Sequence, residues 1–172
     1  MLAGSDTAAV KDPVIRHDGQ QWHLWASVHP LDDPLATDRM TTEYATSPDG
    51  LSWTWRGTAL APRAGAWDAR GVRISSVVPV GDTLVATYDG RASAAENWEE
   101  RTGLARLCGD GVFAAEGDAP AAESPHAGHG LRYVAVADLG GVRRLYWEAT
   151  RADGAHELRT EVLVEAGLPD AA

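Results

Sequence analysis

Residues 11–27 read Lys-Asp-Pro-Val-Ile-Arg-His-Asp-Gly-Gln-Gln-Trp-His-Leu-Trp-Ala-Ser. A short apolar run, Asp12-Pro13-Val14-Ile15, ends at a turn signal, His17-Asp18-Gly19-Gln20. Trp22 to Ser27 then alternates aromatic and small residues, so the stretch predicts a β-hairpin. The same plan continues outward. A polar loop, His29 to Arg39, leads to a strand over Thr41 to Thr46. Ser47-Pro48-Asp49-Gly50 turns, and Trp53-Thr54-Trp55-Arg56 is a fourth strand. A second unit repeats this: strands over 74–80, 84–88, 102–107 and 112–114, turns at Gly81-Asp82 and Gly109-Asp110-Gly111, and a long loop from Arg91 to Arg101. A third, shorter unit has strands over 132–137, 144–149 and 156–164. Residues 114–123 read as a linker and 165–172 as a frayed tail. No segment holds a helical period.

First turns near Asp18, Gly81 and Gly140 recur about 60 residues apart, and a four-stranded unit recurring at roughly 50–60 residues suggests propeller blades. The expected fold is all-β: one partial β-propeller domain, with blades over about 11–60, 67–117 and 124–164. A β-sandwich with regular hairpins is the alternative. Three blades leave open sheet faces and edges. The expectation is therefore a piece of a longer protein with further blades upstream, or self-association.

The chain has 172 residues, 44% hydrophobic, and a net charge of −10. It can build a core. Its acidity argues against nucleic acid and against an anionic membrane surface as partners. One cysteine, Cys108, excludes an intrachain disulfide and reads as a small buried strand residue. Met1 to Val10 lacks a signal peptide, which points to the cytoplasm; secretion stays open if the chain begins further upstream. Seven Trp against one Phe fit either a β core or stacking on sugar rings.

Hairpin geometry says which residues meet. The start of each first strand lies beside the end of the second, where the long loop also springs. Asp12, Asp89 and Glu148 can thus gather around one pocket. Glycosidic bond cleavage needs two carboxyl groups flanking the bond, one of them protonated. Asp12, Asp68, Asp89 and Glu148 are the candidate acids. Asp12 leads, since a charge beside an apolar strand is costly unless used or paired. Turn caps or solvated charges are the alternative for the others. Glu96 to Arg101 reads as a short helical turn, with Trp98 as a lid. His126 and His129 lack an evident third metal ligand, so no metal and no cofactor are expected.

The Lys11-Asp12-Pro13-Val14-Ile15 opening, with the Asp-Gly turn and Trp-His-Leu-Trp, resembles a blade of the five-bladed propeller glycosidases. These are glycoside hydrolase families 32, 43 and 68 and the mannoside phosphorylases of family 130. Tyr44 to Trp53 looks like their blade ending, weakly repeated at Thr102 to Gly111, and Trp67-Asp68 with Val77 to Gly90 resembles their next blade. The similarity covers about residues 11–160. It implies an axial pocket, a carbohydrate substrate and hydrolysis of an oligo- or polysaccharide. Asp12 would match the Asp-Pro acid that stabilises the transition state or tunes the proton donor. Trp22, Trp25, His29, Arg91 and Trp147 are candidate sugar contacts. The family's first-blade Asp should lie upstream of Asp12, and Trp67-Asp68 stands where fructosidase relatives carry their acid Glu. A non-catalytic carbohydrate-binding module is the second reading, and a sandwich-type adhesion domain the third.

Overall fold

The computed structural model describes residues 4–163. Among these residues, eleven strands form three antiparallel sheets. The first holds β1 (Ala8–His17), β2 (Trp22–Pro30), β3 (Thr41–Ser47) and β4 (Thr54–Leu60) in that order. The second holds β5 (Gly71–Val80), β6 (Thr83–Arg91), β7 (Arg101–Gly109) and β8 (Val112–Glu116), again in sequence. Among the described residues the third has three strands, β9 (Leu131–Asp138), β10 (Arg143–Thr150) and β11 (His156–Val162). The meanders follow from the tight turns, as expected. At Ser47 to Ser52, the Asp49 carboxylate accepts the Leu51 and Ser52 N–H groups, each at 2.8 Å. Gly50 supplies the left-handed φ of 74° that the turn requires.

The second sheet lies between the other two. β5 packs against β1, β2 and β3 on one side, and β9 packs against β5, β6 and β7 on the other. The main core fills the space between sheets one and two. Trp25 is buried there, stacked on Tyr44 with ring centroids 5.4 Å apart and edge-on to Phe113 at 5.8 Å. Its indole N–H crosses to the next sheet and donates to the Gly111 carbonyl at 2.9 Å. Backbone and side-chain bonds also tie the sheets. Val72 N–H donates to the Met40 carbonyl, and Thr87 Oγ1 donates to the Val134 carbonyl, both at 3.0 Å.

Several expectations are corrected. β1 and β4 are longer than the sequence pattern suggested. Within the expected linker, residues up to Glu116 belong to β8, and Ala122 bridges to Thr102. Cys108 lies in β7 as a strand residue, but it is exposed, because it falls beside the β7–β8 turn on the outward side. The turn in the long loop is a single 3-10 helix, Ala94–Glu96. The expected frayed tail lies outside the described residues, as does the last residue of the third unit.

Candidate active site

Each innermost strand carries one irregularity near the same end of the molecule. In β1, Asp12 and Pro13 oppose the single residue Ala26, and Asp12 takes φ 51°. In β5, Ser75 is the extra residue between the Ile74 and Ser76 pairings. In β9, Tyr133 and Val134 oppose Trp147, and Tyr133 takes φ 57°. An extra residue in one strand bends it and re-aims the side chains beside it. These bulges turn Asp12, Arg73 and Tyr133 toward one another.

Cross-strand pairing supplies the rest. Arg73 sits opposite Asp89 and Arg132 opposite Glu148. Arg73 donates to Asp89 Oδ2 from Nε at 3.0 Å and Nη2 at 2.9 Å. Its Nη1 reaches Asp12 Oδ2 at 3.5 Å, and its Nη2 lies 3.6 Å from Glu100 Oε1. Glu100, buried just before β7, also accepts from Arg91 at 2.6 Å and from Arg132 at 2.7 Å. Arg132 donates in turn to Glu148 at 2.7 Å. One ion-pair chain therefore joins Asp12, Asp89 and Glu148 through Arg73, Glu100 and Arg132.

Asp89 and Glu100 are buried, and so are Arg73, Arg91 and Arg132. Asp12 and Glu148 keep 37% and 32% of their side chains exposed, so they are the acids of this chain that a ligand can reach. Burial pushes Asp89 up to about 6, further than Arg73 and the Tyr133 N–H pull it down. Burial alone would lower Arg73, but Asp89 and Glu100 outweigh it and hold the guanidinium above its ordinary value. Arg91 is lowered, because burial exceeds the help from Glu100 and Asp38.

A cavity of 330 Å³ opens over this chain. Arg73, Arg91, Glu100 and Arg132 contribute to its lining, and Lys11, His29, Asn97, Trp98 and Tyr133 are among the other lining residues. Arg73 and Tyr133 also line an adjoining cavity of 140 Å³ that contains Asp12. His29 Nδ1 lies 2.8 Å from the Thr37 carbonyl, which can only accept, so Nδ1 carries the proton. Burial lowers His29. Its Nε2 and the Arg91 Nε lack hydrogen-bond partners and are closed to solvent.

Ion pairs and the cavity lining bring together Asp12, Asp89, His29 and Arg91, Glu148 joins them through Arg132 but lines neither cavity, and the remaining candidates lie elsewhere. Asp68 is buried between Arg63 at 2.9 Å and the Tyr88 hydroxyl at 2.8 Å, and it lines neither cavity. Trp25 is core. Trp22 packs beside His17 and against the Gly50 turn. Trp147 is the residue facing the β9 bulge and is absent from the cavity lining. Sequence reasoning missed Arg73, Glu100, Arg132 and Tyr133. Two of them had a signal: Arg73 interrupts the apolar run around Val72 and Ile74, and Arg132 sits between Leu131 and Val134. An arginine in a half-buried strand demands an acid.

No protein-family model matches the chain, and no curated protein matches it by sequence. Solved structures do match. One is Zg3597, a family 117 glycoside hydrolase from the marine bacterium Zobellia galactanivorans, at TM-score 0.74 and 17% identity, covering 95% of this chain and 55% of that one. A thermostable family-43 glycoside hydrolase matches at 0.67 and 14%, over 94% and 50%. The β-1,2-mannobiose phosphorylase of Listeria innocua matches at 0.62 and 16%, over 90% and 44%. The chain spans about half the length of the solved proteins it matches. Over that span, its three sheets have the fold of the propeller glycoside hydrolases.

Proposed function

We propose that the chain is a glycoside-hydrolase-like protein that acts on a glycosidic bond of an oligo- or polysaccharide at the cavity between β1, β5 and β9. The observation that carries this reading is the pairing of Asp12 and Glu148. They come from different sheets, are each partly exposed, and are each tethered to a buried arginine of the same ion-pair chain. Asp12 borders the smaller cavity, and two accessible carboxyl groups on one scaffold are what an oxocarbenium-like transition state calls for. Asp12 supplies the negative charge that stabilises it, with Arg73 fixing the carboxylate's position. Glu148 is positioned on the opposite sheet by Arg132.

A second reading rests on Asp89. It is the acid whose value is raised toward that of a proton donor, yet it is wholly buried and engaged by Arg73 and the Tyr133 N–H, out of a leaving group's reach. That favours a carbohydrate-binding role without turnover. Assaying wild type and Asp12→Asn on a broad panel of aryl glycosides, with sugar binding measured in parallel, separates the two. Under the hydrolase reading, wild type turns over and the variant loses at least about a hundredfold while still binding. Undiminished turnover by the variant overturns Asp12's role. Binding without any wild-type turnover supports the second reading.

A further inference from the structure

The polar floor of the cavity is self-satisfied. The Arg73, Arg91 and Arg132 guanidiniums face Asp89, Asp12, Asp38, Glu100 and Glu148 at 2.6–4.0 Å. His29 Nε2 and Arg91 Nε, which lack hydrogen bonds, are closed to solvent. A charged ligand gains little from arginines that must first give up a carboxylate. Lys11, 3.7 Å from Asp12, and Asn97 also line the cavity, and beside them it presents exposed aromatic surface. Trp98 is 68% exposed and Tyr133 42% exposed. Trp25 and Trp67, by contrast, are buried in the core. An exposed indole at a cavity mouth leaves a large apolar face in water.

Both rings lie near arginines of the ion-pair chain, with Arg132 common to the two. The Arg73 guanidinium lies 4.0 Å over the Tyr133 ring, and Arg132 lies 5.1 Å from Tyr133 and 5.7 Å from Trp98. Arg132 thus links the two aromatics to the acid chain. The β9 bulge and the loop after the 3-10 helix place the rings on different elements around one cavity.

We propose that Trp98, together with Tyr133, is the stacking platform of this site, and that its ligand is a neutral sugar gripped by the apolar face of its ring rather than by charge. The proposal rests on the carbohydrate reading above and narrows it to a ligand class. The arginines then act as scaffold, holding Asp12, Glu148 and the two rings in register. Binding by stacking is indifferent to salt, whereas binding through lysine or arginine weakens as salt screens it.

The test is an array of neutral pentose and hexose oligosaccharides with uronate-containing counterparts. It is probed with wild type, Trp98→Ala and Trp98→Tyr at about 0.05 and 0.5 M salt. Circular dichroism checks each variant's fold. The expected result is wild-type binding to neutral glycans at both salt concentrations. Trp98→Ala weakens it about tenfold or more, and Trp98→Tyr restores most of it. Neutral ligand should also shield Trp98 fluorescence from acrylamide. Wild-type binding that Trp98→Ala leaves intact overturns the platform and leaves the carbohydrate reading standing. So does binding confined to uronate glycans with steep salt dependence. Binding to no glycan overturns the carbohydrate reading itself, and the platform with it.

Discussion

Asp12 combines two constraints at one position. Its φ of 51° favours Asn, Asp or Gly, and its carboxylate pairs with Arg73 and with Lys11 at 3.7 Å. Asp12→Asn keeps the backbone at ease and removes only the charge. Asp12→Ala adds the cost of a left-handed alanine, so it should be about 1 kcal/mol less stable than Asp12→Asn in urea melts. Asp89 gives a pH signature. Its folded value of about 6 lies above the ordinary 3.8, so the folded state holds this proton more tightly than the unfolded chain. This contribution is fully present below about pH 4 and is lost as pH rises to about 6, on the order of 3 kcal/mol. His29, lowered by burial, acts in the opposite sense below its ordinary 6.5. The stability difference between wild type and Asp89→Asn isolates Asp89: it should change across pH 4–6 in wild type's disfavour. A difference flat with pH would show that Asp89 does not titrate there.

At the scale of the strands, the hairpins were legible because their turns are. Asp-Gly and Gly-Gly pairs marked the β1–β2, β3–β4, β7–β8 and β9–β10 reversals, and the recurrence of that plan disclosed the blades. The bulges were not legible. An extra residue in β1, β5 or β9 leaves no mark in an alternating pattern, except where Pro13 follows Asp12. Yet the bulges decide which side chains face the cavity. Hairpin geometry set Asp12, Asp89 and Glu148 at one end of the blades, where the ion-pair chain links them, whereas Tyr133, re-aimed by the β9 bulge, was missed. The Trp candidates failed for a related reason: Trp25 and Trp22 belong to a strand whose side chains pack against Tyr44 and the Gly50 turn. Packing in the second sheet also makes a local prediction. A Cβ on Gly103 would overlap the Tyr88 ring, whose hydroxyl is held by Asp68. Gly103→Ala should therefore cost about 1–3 kcal/mol in denaturant unfolding.

At the scale of the whole molecule, the three sheets are joined by a few directed bonds laid over an apolar core. Trp25 to Gly111 joins the first sheet to the second, and Tyr133 to Asp89 joins the third to the second. Trp25→Phe leaves the Gly111 carbonyl without its donor and should cost about 1–3 kcal/mol, read as a lowered midpoint of a thermal melt. The ion-pair chain spans all three sheets, so the site exists only when they are assembled. A net charge of −10 and a cavity floor of paired arginines suit a ligand recognised by shape and ring face. The central claim is that carbohydrate binds over this chain and nowhere else on the molecule. The direct measurement is an NMR titration of the isotope-labelled protein with a neutral oligosaccharide that the array selects. The account predicts amide shifts clustered at Asp12, Trp98, Tyr133 and Glu148. Shifts clustered instead around His23, Tyr44 and Arg56, which line the larger groove between sheets one and two, would contradict it.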